Sequence, residues 1–388
     1  MSSSESTPRQ PQRLTAREQI PAARRIVIKI GSSSLTDAQG RLDEQRIQRV
    51  AALTAQLVQG GAQVLIVSSG AIAAALGELG LTQRPTTVPL QQAAASIGQV
   101  ALASAWQRAF AAQSLLTGQV LLTDMDMVRR DTYGNVREAL EALLSLGTVP
   151  VINENDTTAT HEIRFGDNDR LAALLAQVTG ADLLVLLTDV DSLRTAPPQE
   201  PGSERIAQVD DVSRLAGVSI GAVGSRVGTG GMVTKLAAVD LAAVTGTASI
   251  LASADAMEDA LRGEDVGTFF PAQHGRRRSR LVWLRFATRG AGTIHVDEGA
   301  AMALRTRRRS LLAVGITAVS GTFPAGVPVD VAGPDGELIV RGLVAFNSEE
   351  LAGMRGMDTA QLREQLGSRF ARPVVHRDHL VMLTRPVG

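Results

Sequence analysis

"TVPVINENDTTATHEIRFGDNDRLAALLAQV", residues 148–178, joins three kinds of sequence in one run. It opens on a short β-branched apolar stretch and closes on the stripe Leu171, Leu174, Leu175 and Val178. Between them, eight Asn, Asp and Glu side chains occupy the seventeen positions 153–169. A short apolar run bounded by polar residues reads as a buried strand, and a stripe of period 3.6 reads as a helix packed against it. The polar loop then lies at the carboxyl end of the strand, the rim where open parallel sheets bind their ligands. Asn168 or Asp169 suits the cap of the following helix, but capping occupies one side chain and leaves the rest of the loop without a reason.

The same alternation extends outward. "RIVIKI" (25–30) reads as a strand buried on both faces and stops at Gly31 and three serines. "DEQRIQRVAALTAQLVQGG" (43–61) carries the stripe Ile47, Val50, Leu53, Leu57 and Val58 and closes on two glycines. "QVLIV" (63–67) is a second strand, running into the glycine-containing turn and helix "SSGAIAAALGELG" (68–80). "GQVLLT" (118–123), "ADLLVLLTDV" (181–190) and "TASILAS" (247–253) are further strands. In "NVREALEALLSLG" (135–147), Asn135 and Glu138 have the spacing of a capping box, and Gly147 suits a left-handed helix end. The expected fold is α/β, a mostly parallel open sheet with helices on both faces.

Near residue 270 the pattern changes. "FFPAQHGRRRSR" (269–280) marks a domain edge. Beyond it, "VPVDVAGPDGELIVRGLVAF" (327–346) reads as a hairpin turning between Gly333 and Gly336. Asn347 with Glu350 and Asp358 with Gln361 read as caps of two short helices, and "PVVHRDHLVML" (373–383) as a strand. The expected organisation is a disordered tail over 1–21, an α/β domain over 22–272, a linker over 273–288 and a small β-rich domain over 289–382.

Bulk properties narrow the function. The chain has 388 residues, more than one core usually holds, so two domains are expected. Formal net charge is zero, which argues against coating a polyanion or a membrane surface. There is no cysteine, so thiol catalysis, disulfides and Cys-ligated zinc are excluded. A cytoplasmic location is expected, with no signal sequence in the Ser-, Pro- and Arg-rich start and no apolar run long enough to span a membrane.

Two segments point to phosphate. In "KIGSSSLT" (29–36), Lys29 ends a strand and Gly31 permits close backbone approach. In "VGTGGMVTK" (227–235), a glycine-rich turn opens a helix whose first turn holds Thr234 and Lys235, and exposed N–H groups with a lysine suit nucleotide phosphates. It is not a Walker A loop, since no Gly-Lys-Ser/Thr follows a four-residue spacer. "HRD" at 376–378 lacks the other protein-kinase signatures. His376 and His379, three apart on a strand, are expected on opposite faces and give no metal pair. The runs "GRRRSR" (275–280) and "RTRRR" (305–309) read as solvated surface rather than an RNA site, because aromatics for base stacking are scarce.

Taken in order, "VIKIGSSSL" (27–35), "VSSGAIAAA" (67–75), "VPVINENDT" (149–157), "GDND" (166–169), "LLTDVDSL" (186–193) and "VGTGGMVTK" resemble the amino acid kinase family. "IHVDEGAAMAL" (294–304), "SGTF" (320–323), "FNSEEL" (346–351) and "VVHRDHLV" (374–381) resemble the PUA domain that ends one branch of it. The resemblance implies ATP-dependent phosphorylation of the side-chain carboxylate of L-glutamate, opening proline synthesis. It implies Lys29 and Lys235 as catalytic cations held by Asp169. ATP would meet Lys29, Thr188, Asp189, Thr229, Gly230, Gly231, Met232, Val233, Thr234 and Lys235. Glutamate would meet Ser69, Gly70, Asn153, Asp156, Asp167 and Asn168. Mg²⁺ would lie near Asp167 and the ATP phosphates, its direct protein ligands left open.

The resemblance further implies a homo-oligomer, feedback inhibition by proline and hand-over of the acyl phosphate to glutamyl phosphate reductase, with no RNA or membrane partner. Ser34 and Val233 depart from residues common at those family positions, and neither removes a charge. The alternatives are another activity of the family, on aspartate, acetylglutamate, carbamate or uridylate, and a non-catalytic RNA-binding or regulatory protein that uses the small domain. Lys29, Lys235, Asp167 and Asp169 speak against the last.

Overall fold

The computed structural model describes residues 9, 11–37, 39–127, 130–158, 167–196, 199–215, 231–273, 284, 290–307 and 309–383. The chain divides into two compact units, Met1–Arg276 and Arg277–Gly388. The expected linker over 273–288 lies almost wholly outside the described residues.

The first unit is built on a seven-stranded sheet. In chain order its elements are β1 (Arg25–Ile30), α1 (Glu44–Gln59), β2 (Gln63–Ser68), α2 (Ala71–Glu78), α3 (Val88–Ala111), β3 (Thr117–Leu122), α4 (Arg130–Ser145), β4 (Val149–Glu154), α5 (Asp167–Thr179), β5 (Leu183–Thr188), α6 (Met232–Val244), β6 (Ala248–Ser253), α7 (Met257–Leu261) and β7 (Thr268–Phe270). Spatial order is β3-β4-β2-β1-β5-β6-β7. Every pairing is parallel except β6 with β7. Helices cover both faces of such a sheet, so its central strands carry apolar side chains on both sides, and β1 and β5 are buried along their whole length. Each fully buried Ile or Leu contributes about 2 kcal/mol.

Parallel pairing aligns the carboxyl ends of β1, β2, β4 and β5, with Lys29 in register between Val67 and Leu186. At the opposite end lies Asp182, with no exposed surface. Its carboxylate accepts from the Arg9 guanidinium (2.9 Å), the backbone N–H of Gln12, and those of Arg24 (2.7 Å) and Arg25 (3.0 Å). The expected tail through residue 21 is therefore corrected: residues 11–21 pack as a strap. Leu14 and Ile20 are buried in the main core, Arg17–Ala22 forms a 3-10 helix, and the Arg17 guanidinium donates to the carbonyls of Ala207, Glu264 and Val266. Average polarity hid two apolar anchors and the one buried carboxylate that gathers the donors.

A second correction concerns α4. Asn135 does not cap it, because the helix begins at Arg130 and passes through Gly134 and Asn135. The Thr132 hydroxyl donates to the Asp126 carbonyl at 2.9 Å, tying the added first turn to the preceding segment. Tertiary contact overrides the weak local propensity of Gly-Asn. Gly147 does take φ +70° at the far end.

The second unit contains β8 (Thr293–Val296), β9 (Ile316–Ser320), β10 (Pro328–Ala332), β11 (Leu338–Val344) and β12 (Val375–Met382), in spatial order β12-β11-β10-β8-β9. β10 and β11 form the expected hairpin, and Asn347 with Glu350 and Asp358 with Gln361 form both expected capping boxes. His376 and His379 are not on opposite faces; their rings meet edge to face at 5.9 Å. The register of β12 slips between its pairings of Val375 and Leu380, and the irregular stretch carries both histidines. Among the described residues no helix is long and apolar enough to cross a membrane.

One glycine fixes the approach of α3 to α2. A Cβ on Gly98 would lie 1.8 Å from the Ala71 carbonyl oxygen and 2.6 Å from the Ala75 nitrogen. Backbone atoms cannot rotate away as a side chain can. Gly98→Ala is expected to lower stability by about 3 kcal/mol, the upper end of overpacking costs, and to be visible as a drop in thermal midpoint. An unchanged melting curve would contradict this packing.

Candidate active site

The carboxyl rim brings together side chains from distant parts of the chain. Lys29 ends β1, and Lys235 lies in the first turn of α6. Asp169, in the first turn of α5, lies between them. Lys29 Nζ is 2.6 Å from Asp169 Oδ1, and Lys235 Nζ is 3.3 Å from Oδ2. All three are buried, at 6%, 7% and 1% exposure. The Thr234 hydroxyl donates to Asp169 Oδ2 at 2.9 Å. Burial alone would push the Asp169 carboxyl up, but the two ammonium groups and the Thr234 hydroxyl outweigh it and hold the group below its ordinary range. Two lysine ammonium groups thus converge on the one Asp169 carboxylate.

One residue earlier, Asn168 faces another set of groups. Its Nδ2 donates to Ser69 Oγ at 2.8 Å and to Asn153 Oδ1 at 3.0 Å. Asn153, at the end of β4, donates from Nδ2 to Gln99 Oε1 at 2.8 Å. Gly70 follows Ser69 as the residue before α2, with φ +108°, a conformation that favours glycine. Successive helical residues point about 100° apart, so adjacent Asn168 and Asp169 serve two neighbouring sites.

The remaining sequence-predicted residues fall as follows. Asp156 lies in the turn after β4, partly buried; burial pushes its carboxyl above the ordinary range, with Arg84 pulling the other way. Thr188 ends β5 and donates to Asp189 Oδ1 at 2.9 Å. Gly231, Met232 and Val233 open α6, with Val233 exposed. Asp167 is the first residue of α5, but its side chain, Thr229 and Gly230 lie outside the described residues. Sequence reading missed Gln99, Arg84 and Trp106, whose indole N–H donates to Ser68 Oγ at 2.9 Å beneath the rim. Gly98, alone in an Ala-rich helix, was a signal that α3 approaches another backbone there.

Fold and rim together define a phosphoryl-transfer enzyme of the α/β class, and the chain belongs to the amino acid kinase family, whose sequence pattern matches residues 24–252. The PUA domain pattern matches residues 292–366. At finer grain, the chain is 49% identical over 369 residues to the glutamate 5-kinase of Thermobifida fusca (strain YX), covering 95% of each chain. It is 51% identical over 368 residues to that of Salinispora arenicola (strain CNS-205), covering 95% of this chain and all of the relative.

Asp169→Asn would leave two buried ammonium groups facing a neutral amide. Breaking a buried pair in this way typically costs about 3–5 kcal/mol. The folded Asp169 carboxyl is depressed, so its stabilisation is complete above the unfolded value, about 3.9, and is lost as pH falls through the lower folded value. Urea unfolding should show wild type ahead of Asp169→Asn at neutral pH, with the gap narrowing only below about pH 4. A gap that widened in acid would contradict the arrangement.

Proposed function

We propose that this chain transfers the γ-phosphoryl group of ATP to the side-chain carboxylate of L-glutamate, giving L-glutamyl 5-phosphate and ADP at the head of proline synthesis. The observation that carries this reading is the pairing of Lys29 and Lys235 on Asp169, one residue from the amide set of Asn168. A carboxylate nucleophile is already deprotonated, so the reaction needs no general base. One carboxylate oxygen forms the new bond to phosphorus as the bond to the β,γ-bridging oxygen of ATP breaks. The requirement is to bring two anions together and to balance the charge that moves between them.

Lys29 and Lys235 supply that charge from opposite sides, and Asp169 holds both. Thr188, Asp189 and the turn from Thr229 through Gly230, Gly231, Met232 and Val233 to Thr234 hold the nucleotide. Asp156 balances the ammonium of glutamate, and Ser69, Gly70, Asn153 and Asn168 receive its polar groups.

Among the described residues no three His, Asp or Glu side chains converge, and Asp169 already has a lysine at each oxygen. We read the ion as Mg²⁺ that arrives on the ATP phosphates, with Asp167 the residue expected near it. The ion would shield the charge of the phosphates. The reading extends to a cytoplasmic homo-oligomer, inhibited by proline, whose acyl phosphate product passes to glutamyl phosphate reductase.

An ADP-release assay across L-glutamate, L-aspartate, N-acetyl-L-glutamate, carbamate and UMP tests the acceptor, and turnover confined to another of these would overturn it. Lys235→Ala should lower kcat by about a hundred- to thousandfold, the usual effect of losing one donor to the moving charge. Near-normal turnover would remove Lys235 from the site. Asp156→Ala should raise KM for glutamate far more than KM for ATP, and an equal rise in both would deny it the ammonium.

A further inference from the structure

The amides behind the amino acid pocket have a fixed polarity. The backbone N–H of Glu154 donates to Asn153 Oδ1 at 2.9 Å. A backbone N–H can only donate, so Oδ1 must be the acceptor end of Asn153 and Nδ2 its donor end. Asn153 Oδ1 also receives Asn168 Nδ2, and the second proton of that nitrogen goes to Ser69 Oγ. Both Asn168 protons are thereby used. Its buried Oδ1 has no hydrogen-bond partner among the described residues. This unpaired oxygen is an acceptor, the polarity an ammonium group requires.

At the other end of the chain of amides stands Gln99, whose Oε1 takes the Asn153 Nδ2. Gln99 belongs to α3, which Gly98 presses against α2. Three residues earlier on the same helix face, the Ser96 hydroxyl lies 2.9 Å from that of Thr157 in the loop after β4. One turn of α3 therefore grips this loop at two points.

We propose that Gln99 is a positioning residue for the acceptor amino acid: its side-chain carbonyl locks the Asn153 amide and, through it, turns the Asn168 carbonyl toward the substrate ammonium. The proposal rests on the reading that Asn168 contacts the amino acid. Without the Gln99 acceptor, Asn153 Nδ2 is left unpaired and its amide turns in search of a partner, so that Asn168 loses its preset orientation. ATP meets none of these amides.

Steady-state kinetics of the full chain with L-glutamate and MgATP test this with Gln99→Met, which keeps size and removes the acceptor, and Gln99→Glu, which keeps an acceptor. Gln99→Met should raise KM for glutamate about tenfold, with KM for ATP and the melting temperature unchanged. Gln99→Glu should restore KM to within about threefold of wild type. Added to Asn168→Ala, Gln99→Met should bring less than about a twofold further change, because the two act in series.

The proposal is overturned if Gln99→Met leaves glutamate KM unchanged while Asn168→Ala raises it. It also falls if Gln99→Met moves both substrates equally, or adds its full effect to Asn168→Ala. If Asn168→Ala leaves glutamate KM unchanged, the pocket assignment itself fails and takes the relay with it.

Discussion

A single carboxylate held between two ammonium groups at the start of one helix organises this rim. Asp169 could not remain ionised at 1% exposure without compensation, and neither lysine could stay charged there alone. Each charge justifies the burial of the others. The N-terminal turn of α5 adds the positive end of its helix dipole, which favours an anion at that point. The result is a rigid, positively charged site whose partners come from β1, α5 and α6. Those three elements meet only because β1 is the central strand of the sheet.

The sheet carries a second buried aspartate at its other end, and the contrast is informative. Asp182 is compensated by backbone N–H groups and an arginine that also donates to the Gly180 carbonyl. Its hydrogen bonds close the amino end of β1 and β5 and tie Arg9 and Gln12 to it. Asp169 is compensated by two lysine ammonium groups and the Thr234 hydroxyl. Burial depresses neither carboxylate; charge and hydrogen bonds do. The same physical device thus serves as a fastening at one end and gathers two lysines at the other.

The strand–helix alternation and the rim motifs were legible in the sequence because both rest on local pattern. Lys29 and Lys235 could be singled out beside glycines at a strand end and a helix start, whereas the role of Asp169 came from the family resemblance. What could not be read depended on contacts across distance. The strap hid in a polar composition, since only Leu14 and Ile20 are apolar anchors among polar neighbours. Asn135 looked like a cap because capping preferences are local, whereas the turn before it is tied to Asp126. The histidine rings meet because a register slip breaks the strand period. Gln99 carried no motif at all, since its role is defined by what β4 places opposite it.

In the proposed site, the division of labour across Asn168 and Asp169 lets one rim handle two anionic substrates. Fixed charge is strong but indifferent: lysines attract a nucleotide and a dicarboxylate alike. Oriented amides are weaker but distinguish donors from acceptors, and here their sense is dictated by one backbone N–H at Glu154. Placing the two kinds of recognition on consecutive residues of a helix sets them side by side without mixing them. The proposed reading thus gives attraction to the buried lysines and discrimination to the amide relay. The geometry that joins the two is the first turn of α5.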